Sequence, residues 1–225
     1  MSYTDPAAAK AAILEAGRRL YQRGYVAGND GNISARMADG SVWMTPTGVS
    51  KGFMTEDMLV RVDLEGNILE GTRALTSEGA MHLALYRENP EIGGVVHAHP
   101  AAATAYSAKG ETFDLAVSLD MALHVGAVPC VAYAPTGSKE LAEAAARYAN
   151  EADAVLLEHH GAVTWGPDVT AALYRMECLE QTFLLYEHML RFGEVRLLSK
   201  REVADLLPLR KKLGRHTGLP LKTRD

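Results

Sequence analysis

Apolar side chains recur at helical spacing near the start of the chain. Within residues 7–25, the apolar positions Ile13, Leu14, Leu20 and Tyr21 follow the i, i+1, i+7, i+8 spacing of one helix face. This pattern predicts an amphipathic helix over residues 7–25.

Shorter apolar runs, bounded by turn residues, follow along the rest of the chain. They predict strands at residues 33–36, 42–45, 59–63, 67–69, 93–99, 128–133, 154–157 and 162–165. Helical patterns predict helices at residues 78–87, 101–109 and 138–149, and a longer helix of about twenty-five residues that begins at Asp168. A last helix is predicted to begin with the capping box Ser199–Glu202 and to end at Pro208. Strand pairs come first, and strands alternating with helices follow. We therefore expect an α/β fold in which helices cover a mixed sheet, as a single domain of residues 1–225 with a helical and basic C-terminal tail from about residue 199 to 225.

Composition narrows the functional classes. The chain has 225 residues, of which 48% are hydrophobic and 23% charged, as in ordinary globular proteins. Its 23 Lys and Arg against 28 Asp and Glu give a net charge of −5, which disfavours a general nucleic-acid binder or a protein of anionic membrane surfaces. No apolar run approaches the roughly 18 residues that a membrane-spanning helix needs.

The N-terminus and the cysteines indicate a cytoplasmic protein. Asp5, Lys10 and Glu15 interrupt the stretch in which a signal peptide would need an unbroken apolar region. Cys130 and Cys178 are far apart and lie outside any C-x-x-C spacing. We expect them to be free thiols in a reducing compartment.

The most suggestive polar motif is His97-Ala98-His99, on a predicted strand. Because side chains alternate along a strand, His97 and His99 face the same way, with Cα atoms about 6.5 Å apart. Two imidazoles at that spacing can converge on one metal ion. The alternative is a pair of satisfied buried histidines.

Two further features could complete such a site. In His159-His160-Gly161, neighbouring strand residues point to opposite faces, so at most one imidazole joins the first pair, and spacing alone leaves the choice open. Glu78 is placed in the first turn of a predicted helix, where a carboxylate could equally serve only to complement the helix dipole. Together these residues suggest a His-rich site for catalytic zinc or another first-row cation.

Three loops rich in small hydrogen-bond donors suggest an anion site. They are residues 28–32, 45–48 and 76–77, and their backbone N–H groups, hydroxyls and amides could form a nest for a phosphate. Lys51 could add a positive charge. The alternative is ordinary turn chemistry. The nucleotide-binding patterns G-x-x-x-x-G-K-[ST] and G-x-G-x-x-G after a strand are absent from the sequence.

Six ordered motifs resemble one known family. They are Gly31-Asn-Ile-Ser34, Thr45-Pro-Thr-Gly48, Thr76-Ser-Glu78, Val95-Val-His-Ala-His99, Val128-Pro-Cys130 and His159-His-Gly161. They span about residues 7–195 and resemble the class II aldolase/adducin family, most closely its L-fuculose-1-phosphate aldolase-type members.

The resemblance implies a fold, an assembly and a site. The fold would be a three-layer α/β/α arrangement with a largely antiparallel mixed sheet, and the assembly a homotetramer with active sites at subunit interfaces. The metal ligands would be His97, His99, His160 and Glu78, with Glu78 also acting as acid and base. The implied phosphate site carries over to Asn32, Thr47, Gly48, Thr76 and Ser77, with Asn29 added where the aldolases have threonine.

The implied reaction is the reversible cleavage of a ketose 1-phosphate to dihydroxyacetone phosphate and an aldehyde. Zinc is the implied cofactor, with Mn²⁺, Co²⁺ or Fe²⁺ as alternatives. The chain departs from the aldolases at Ser118, where they place a tyrosine that acts in a neighbouring subunit, and in having no tyrosine after Tyr186. Asp120 or His124 could replace the missing acid.

Other functions within and beyond the resemblance stay open. A phosphopentose 4-epimerase would carry Asp where Glu78 stands. A sugar-acid phosphate decarboxylase, a dehydratase or an aldolase for a non-phosphorylated carbonyl acid would use a similar metal site. A non-catalytic adducin-like binding domain would lack an intact ligand set, whereas this chain keeps all four candidates.

Overall fold

The protein is built around one mixed sheet of eight strands. The computed structural model describes residues 2–215 and 218–225. Its strands are β1 (Asn32–Arg36), β2 (Val42–Met44), β3 (Val60–Val62), β4 (Ile68–Glu70), β5 (Gly94–Ala98), β6 (Cys130–Val131), β7 (Ala154–Leu157) and β8 (Gly161–Gly166). The order across the sheet is β4-β3-β2-β1-β5-β8-β7-β6. Among the strands of the described residues only β6 and β7 pair in parallel, so the predicted mixed, largely antiparallel sheet is confirmed.

Helices cover both faces of the sheet. They are α1 (Pro6–Gln22), α2 (Gly79–Glu88), α3 (Ala101–Ser107), α4 (Lys139–Ala146), α5 (Val169–Phe192) and α6 (Lys200–Lys212). One apolar cluster joins α1, α3 and α5 to one face of the sheet, and a second joins α2 and α4 to the other face. The predicted three-layer α/β/α arrangement is therefore confirmed, with a core on each side of the sheet.

The first helix shows how local sequence sets its bounds. Asp5 caps the N-terminus of α1, since its side chain accepts a hydrogen bond from the Ala7 N–H. At the other end Gly24 takes a positive φ of 71°. The Tyr25 N–H bonds the Leu20 carbonyl across this glycine, which is the Schellman arrangement. The helix consequently ends at Gln22, three residues before the predicted boundary.

The C-terminal helix is longer than predicted. The capping box of Ser199 and Glu202 is present, but Pro208 lies inside α6, which continues to Lys212. The prediction that Pro208 ends the helix is therefore wrong. The next turn is anchored by Arg210, a buried side chain that donates to the carbonyls of Ala122, Leu123 and Val125. These tertiary bonds outweigh the local cost of a proline in a helix.

The rest of the tail is not helical where it is described. Backbone bonds join Lys222 to Asp114 and Ala116, and Arg224 to Leu198. The tail predicted to be helical from about residue 199 to 225 is therefore helical only in its first half, up to Lys212. His216 and Thr217, which that prediction also included, lie outside the described residues.

Two sequence expectations outside the site can be compared directly with the structure. Cys130 and Cys178 are both free thiols. Within residues 2–215 and 218–225, no helix is both long enough and apolar enough to cross a membrane.

Candidate active site

Three imidazoles converge at one end of the sheet. His97 lies on β5, His99 follows its last residue, and His160 belongs to the turn between β7 and β8. The Nε2 atoms of His97 and His99 are 3.1 Å apart, and the three ring centroids are 4.8–5.0 Å from one another. One potential ligand atom from each ring lies within 4.8 Å of the other two. The prediction that His97 and His99 share a face is confirmed.

The tight turn before β8 selects one of the two adjacent histidines. Leu157 pairs with Gly161, so residues 158–160 must reverse the chain. His159 adopts a φ of 57°, the only positive value of a non-glycine residue in the described chain, and its side chain is exposed. A Cβ at Gly161 would lie 2.6 Å from the Ala98 carbonyl oxygen, so the close approach to β5 requires glycine. His160 therefore contacts the cluster.

Glu78 joins the histidines from the opposite direction. It is the N-cap residue of α2, yet its side chain makes no capping hydrogen bond. Its Oε2 lies 3.1 Å from His97 Nε2, and its Oε1 lies 3.5 Å from His160 Nε2. Asn32 donates its Nδ2–H to Oε2 over 2.9 Å. Oε1 is buried and has no hydrogen-bond partner. The carboxylate therefore faces the imidazoles and does not serve as a helix cap.

Burial sets the charge states of the cluster. It lowers the pKa of His99 to about 4 and also lowers the pKa of His160. Burial opposes the ionisation of Glu78, but the charge of His97, its hydrogen bond and that of Asn32 outweigh it, so the pKa of Glu78 lies well below its ordinary value. At neutral pH the site thus combines an ionised carboxylate with His99 and His160 in the neutral form.

The orientation of His97 leaves its inner nitrogen available. Its Nδ1 lies 2.9 Å from the Ala162 carbonyl oxygen, and because a carbonyl can only accept, Nδ1 carries the hydrogen. Nε2 therefore points into the cluster, 3.1 Å from Glu78 Oε2. This is the orientation of histidines whose outer nitrogen is held by a carbonyl while the inner one binds a metal. With the unpartnered Oε1 of Glu78, this donor set fits a divalent cation.

A cavity of about 330 Å³ opens beside the cluster. Its lining includes Glu78, His99 and His160. All six residues predicted for the phosphate site also belong to this lining: Asn29, Asn32, Thr47, Gly48, Thr76 and Ser77. The structure therefore places the donor-rich loops and the histidine cluster around one space.

Lys51 lies beneath two of those loops. It is 2% exposed, and its Nζ donates to the Asn29 carbonyl over 2.8 Å and to the Val49 carbonyl over 2.6 Å. It also lines the cavity. Burial lowers its pKa to about 8.

Sequence reasoning missed one acidic neighbour of the cluster. Asp30 lines the cavity, and its Oδ2 lies 3.5 Å from His99 Nδ1. Its position within the glycine- and asparagine-rich loop of residues 28–32 was visible in the sequence. Its approach to His99 was not, because it depends on the antiparallel pairing of β1 with β5.

Ser118, at the position of the missing tyrosine, and the two residues that could replace the missing acid, Asp120 and His124, lie outside the cavity lining. Ser118 accepts a hydrogen bond from the Met121 N–H at the start of a π-helical segment, Met121–Val125, which the sequence analysis did not predict. Asp120 precedes that segment and His124 lies in it. Neither residue is among those that line the cavity.

The family comparison agrees with the fold and with the cluster. Residues 11–186 match the model of the class II aldolase and adducin N-terminal domain. The chain belongs to this family and is an enzyme of the class II aldolase superfamily. The family resemblance predicted from the six motifs is therefore confirmed.

Individual relatives carry two different activities in their names. A 3-oxo-tetronate 4-phosphate decarboxylase of Haemophilus influenzae is 35% identical over 204 residues, which cover 88% of this chain and 96% of the relative. An L-fuculose phosphate aldolase of Methanococcus maripaludis is 41% identical over 165 residues, 73% of this chain and 88% of the relative. A solved L-fuculose 1-phosphate aldolase superposes with a TM-score of 0.85 at 28% identity, covering 95% of this chain and all of that one.

Proposed function

We propose that this protein is a zinc-dependent aldolase that reversibly cleaves a ketose 1-phosphate to dihydroxyacetone phosphate and an aldehyde. The observation that carries the proposal is the convergence of three imidazoles on a carboxylate with an unpartnered oxygen, beside a cavity lined by donor-rich loops. In this proposal His97, His99, His160 and Glu78 hold the cation.

A bound cation would supply Lewis acidity there: held largely by neutral imidazoles, it would keep its positive charge and could stabilise negative charge on the substrate oxygens. Zinc is proposed first because the donors are nitrogen and oxygen without thiolate, as in catalytic zinc sites. Mn²⁺, Co²⁺ and Fe²⁺ suit the same donors.

The phosphate end of the substrate is assigned to the loops. Thr47, Thr76 and Ser77 offer hydroxyls, and Gly48 takes a φ of 71° that turns the chain tightly beside the cavity. Holding the phosphate, which does not react, would orient the bond to be cleaved. Binding energy from this remote end of the substrate would thereby lower the barrier of the reaction.

Glu78 is assigned the proton transfer. In the direction of synthesis, its carboxylate accepts a proton from the hydroxymethyl carbon of dihydroxyacetone phosphate, and the electrons of that C–H bond form an enediolate. In cleavage, the substrate hydroxyl beside the breaking bond gives its proton to a base, and the electrons of the broken C–C bond form the same enediolate. Glu78, protonated beforehand from solvent, then gives its proton to the enediolate carbon and ends as the carboxylate. Asn32 holds Oε2 while this occurs.

A second candidate, decarboxylation of a sugar-acid phosphate, is favoured by one specific observation. The cavity lining contains no tyrosine, and cleavage to an aldehyde requires a group that takes the proton of the substrate hydroxyl whose carbon becomes the aldehyde. Removing CO₂ from a 3-oxo-tetronate 4-phosphate makes no such demand and leaves the same three-carbon enediolate. The length of the match to the Haemophilus influenzae decarboxylase supports this alternative.

The assembly remains part of the proposal. A homotetramer with its sites at subunit interfaces would let a neighbouring subunit supply the missing group.

A direct assay separates the two activities. The purified protein is incubated with L-fuculose 1-phosphate, 5-deoxyribulose 1-phosphate or 3-oxo-tetronate 4-phosphate, with Zn²⁺ or with a chelator. Dihydroxyacetone phosphate accompanied by an aldehyde supports the aldolase, whereas dihydroxyacetone phosphate accompanied by CO₂ supports the decarboxylase. No cleavage of any ketose 1-phosphate in the presence of Zn²⁺ would overturn the aldolase proposal.

A further inference from the structure

Buried polar side chains continue from Glu78 into the layer between the sheet and α2. Beyond Asn32 they are Ser34 on β1 and His82 and Tyr86 on α2, each with no exposed surface. Positions 78, 82 and 86 are spaced four apart and so share one face of the helix, while positions 32 and 34 share one face of the strand.

Hydrogen bonds join these side chains into one chain. Asn32 Nδ2 lies 2.9 Å from Glu78 Oε2, and His82 Nε2 lies 2.6 Å from Asn32 Oδ1. Ser34 Oγ lies 2.7 Å from His82 Nδ1 and 2.8 Å from the Tyr86 hydroxyl. All four distances are short enough for hydrogen bonds, and the one between His82 and Asn32 is the shortest.

The chemistry of the groups fixes the direction of every donor. An ionised carboxylate only accepts, so Asn32 must present its NH₂ to Glu78 and its oxygen to His82. His82 therefore carries its hydrogen on Nε2, and Nδ1 accepts from the Ser34 hydroxyl. Ser34 in turn accepts from Tyr86. Each of the four hydrogen bonds is thus donated in the direction that leads toward Glu78.

We propose that His82 is a positioning residue for the active-site carboxylate: by donating its Nε2–H to Asn32, it fixes the amide orientation that gives an N–H to Glu78 Oε2 and leaves Oε1 free for a cation. The proposal rests on the proposed role of Glu78 as a metal ligand. His82 itself is not one of the three clustered imidazoles and is not among the residues that line the cavity.

The physical need for such a residue lies in the Asn32 amide. If it turned over, Asn32 would present its oxygen to the Glu78 carboxylate, and two acceptors would face each other in a buried site. The Nε2–H of His82 disfavours that state, because it would then face the NH₂ group. Burial also lowers the pKa of His82 to about 3, so the ring stays neutral with one donor and one acceptor.

The first test uses the unmodified, metal-free protein. Long-range ¹H–¹⁵N NMR of the histidine rings distinguishes the two neutral tautomers. The proposal predicts the Nε2–H tautomer for His82, and an Nδ1–H tautomer or a charged ring at neutral pH would overturn it. Because no substrate is involved, this result is independent of the enzyme's activity.

The second test compares two substitutions at the same position. His82→Gln keeps an N–H donor for Asn32 and an oxygen acceptor for Ser34, whereas His82→Leu removes both. Direct hydrogen-bond partners of metal ligands change affinity by about 10- to 100-fold, and His82 acts one step further out, through Asn32. We therefore expect His82→Leu to weaken Zn²⁺ binding by about 10-fold and His82→Gln by only about threefold. Titration calorimetry with Zn²⁺ measures both.

A matched control removes a buried hydrogen bond elsewhere. Thr164 has no exposed surface and donates to the Ala172 carbonyl over 2.7 Å, so Thr164→Val should leave Zn²⁺ affinity unchanged. Equal affinities in His82→Leu and wild type, or equal losses in His82→Leu and His82→Gln, would overturn the positioning role. If His82→Leu does not fold, the tautomer of His82 in the unmodified protein and the Zn²⁺ affinity of His82→Gln still test the positioning role. Failure of the proposed function would appear separately, as normal Zn²⁺ binding without cleavage of a ketose phosphate.

Discussion

Asn32 and His97 lie directly opposite each other across the antiparallel pair β1 and β5. Residues paired in this way point to the same face of the sheet, here the face covered by α2. Asn32 is therefore adjacent to the histidine cluster and also bonds Glu78 at the start of α2. This one register links the donor-rich loop after α1 to the candidate metal site.

The carboxylate is the first target for mutation. Glu78→Gln keeps the size of the side chain but removes the negative charge and the proton acceptor. We expect cleavage to fall by about 10²- to 10⁴-fold, the usual contribution of an acid–base group, with weaker Zn²⁺ binding. Steady-state kinetics measure it, and Glu65→Gln, at an exposed position, should act as wild type. Wild-type kcat in Glu78→Gln would contradict the assigned role.

The adjacent histidines give a matched pair. His160→Asn should lose stoichiometric bound metal, because it removes one of the three converging imidazoles. His159→Asn should retain it, since His159 is exposed and asparagine tolerates its positive φ. Elemental analysis after gel filtration compares the two. Equal metal content in both variants would show that His160 is not a ligand.

Lys51 predicts how anion binding depends on pH. Since burial lowers its pKa to about 8, the ammonium is charged below that pH and neutral above it. Affinity of the metal-free protein for inorganic phosphate should therefore fall as the pH rises through about 8. Inorganic phosphate only becomes more negative as the pH rises over this range, so its own titration cannot produce the predicted fall. Calorimetry from pH 7 to 9 measures it.

The control for this pH dependence is Lys51→Met, which keeps most of the side-chain volume without the charge. It should bind phosphate weakly at every pH in that range. A fall in affinity that persists unchanged in Lys51→Met would assign it to another group.

Arg210 predicts a stability effect far from the cavity. The side chain is buried, bonds three carbonyls of the Ala122–Val125 region and pairs with Asp153. Removing one partner of a buried ion pair costs about 3–5 kcal/mol when the other charge is left unpaired. Because Asp153 keeps Arg175 as a second partner 3.0 Å away, Arg210→Met should lower the free energy of unfolding by somewhat less, about 2–3 kcal/mol. Urea unfolding measures it against Lys211→Met, an exposed neighbour. A loss no larger than that of Lys211→Met would refute the anchoring role.

Parts of the site could be predicted because they depend on short-range geometry. The two-residue period of a strand was enough to bring His97 and His99 to one face. The choice between His159 and His160 could not be derived from spacing, because it depends on a left-handed residue in the turn before Gly161. Only the family resemblance favoured His160, and the structure brings that ring to the cluster.

Other features need the tertiary structure. From the sequence alone, His82 is predicted to be a core residue of an amphipathic helix. Its position four residues after Glu78 did indicate that the two side chains share one helix face. Pro208 was predicted to end α6, but distant contacts of Arg210 keep the helix intact. The single-domain organisation and the homotetramer stay predictions.

The central claim is that His97, His99, His160 and Glu78 share one divalent cation. Anomalous diffraction from crystals grown with Zn²⁺ tests it most directly. We expect one strong peak about 2.0–2.1 Å from a nitrogen of each of the three imidazoles, with Glu78 as the carboxylate nearest to it. A zinc peak at another place, or none at this cluster, would contradict the account.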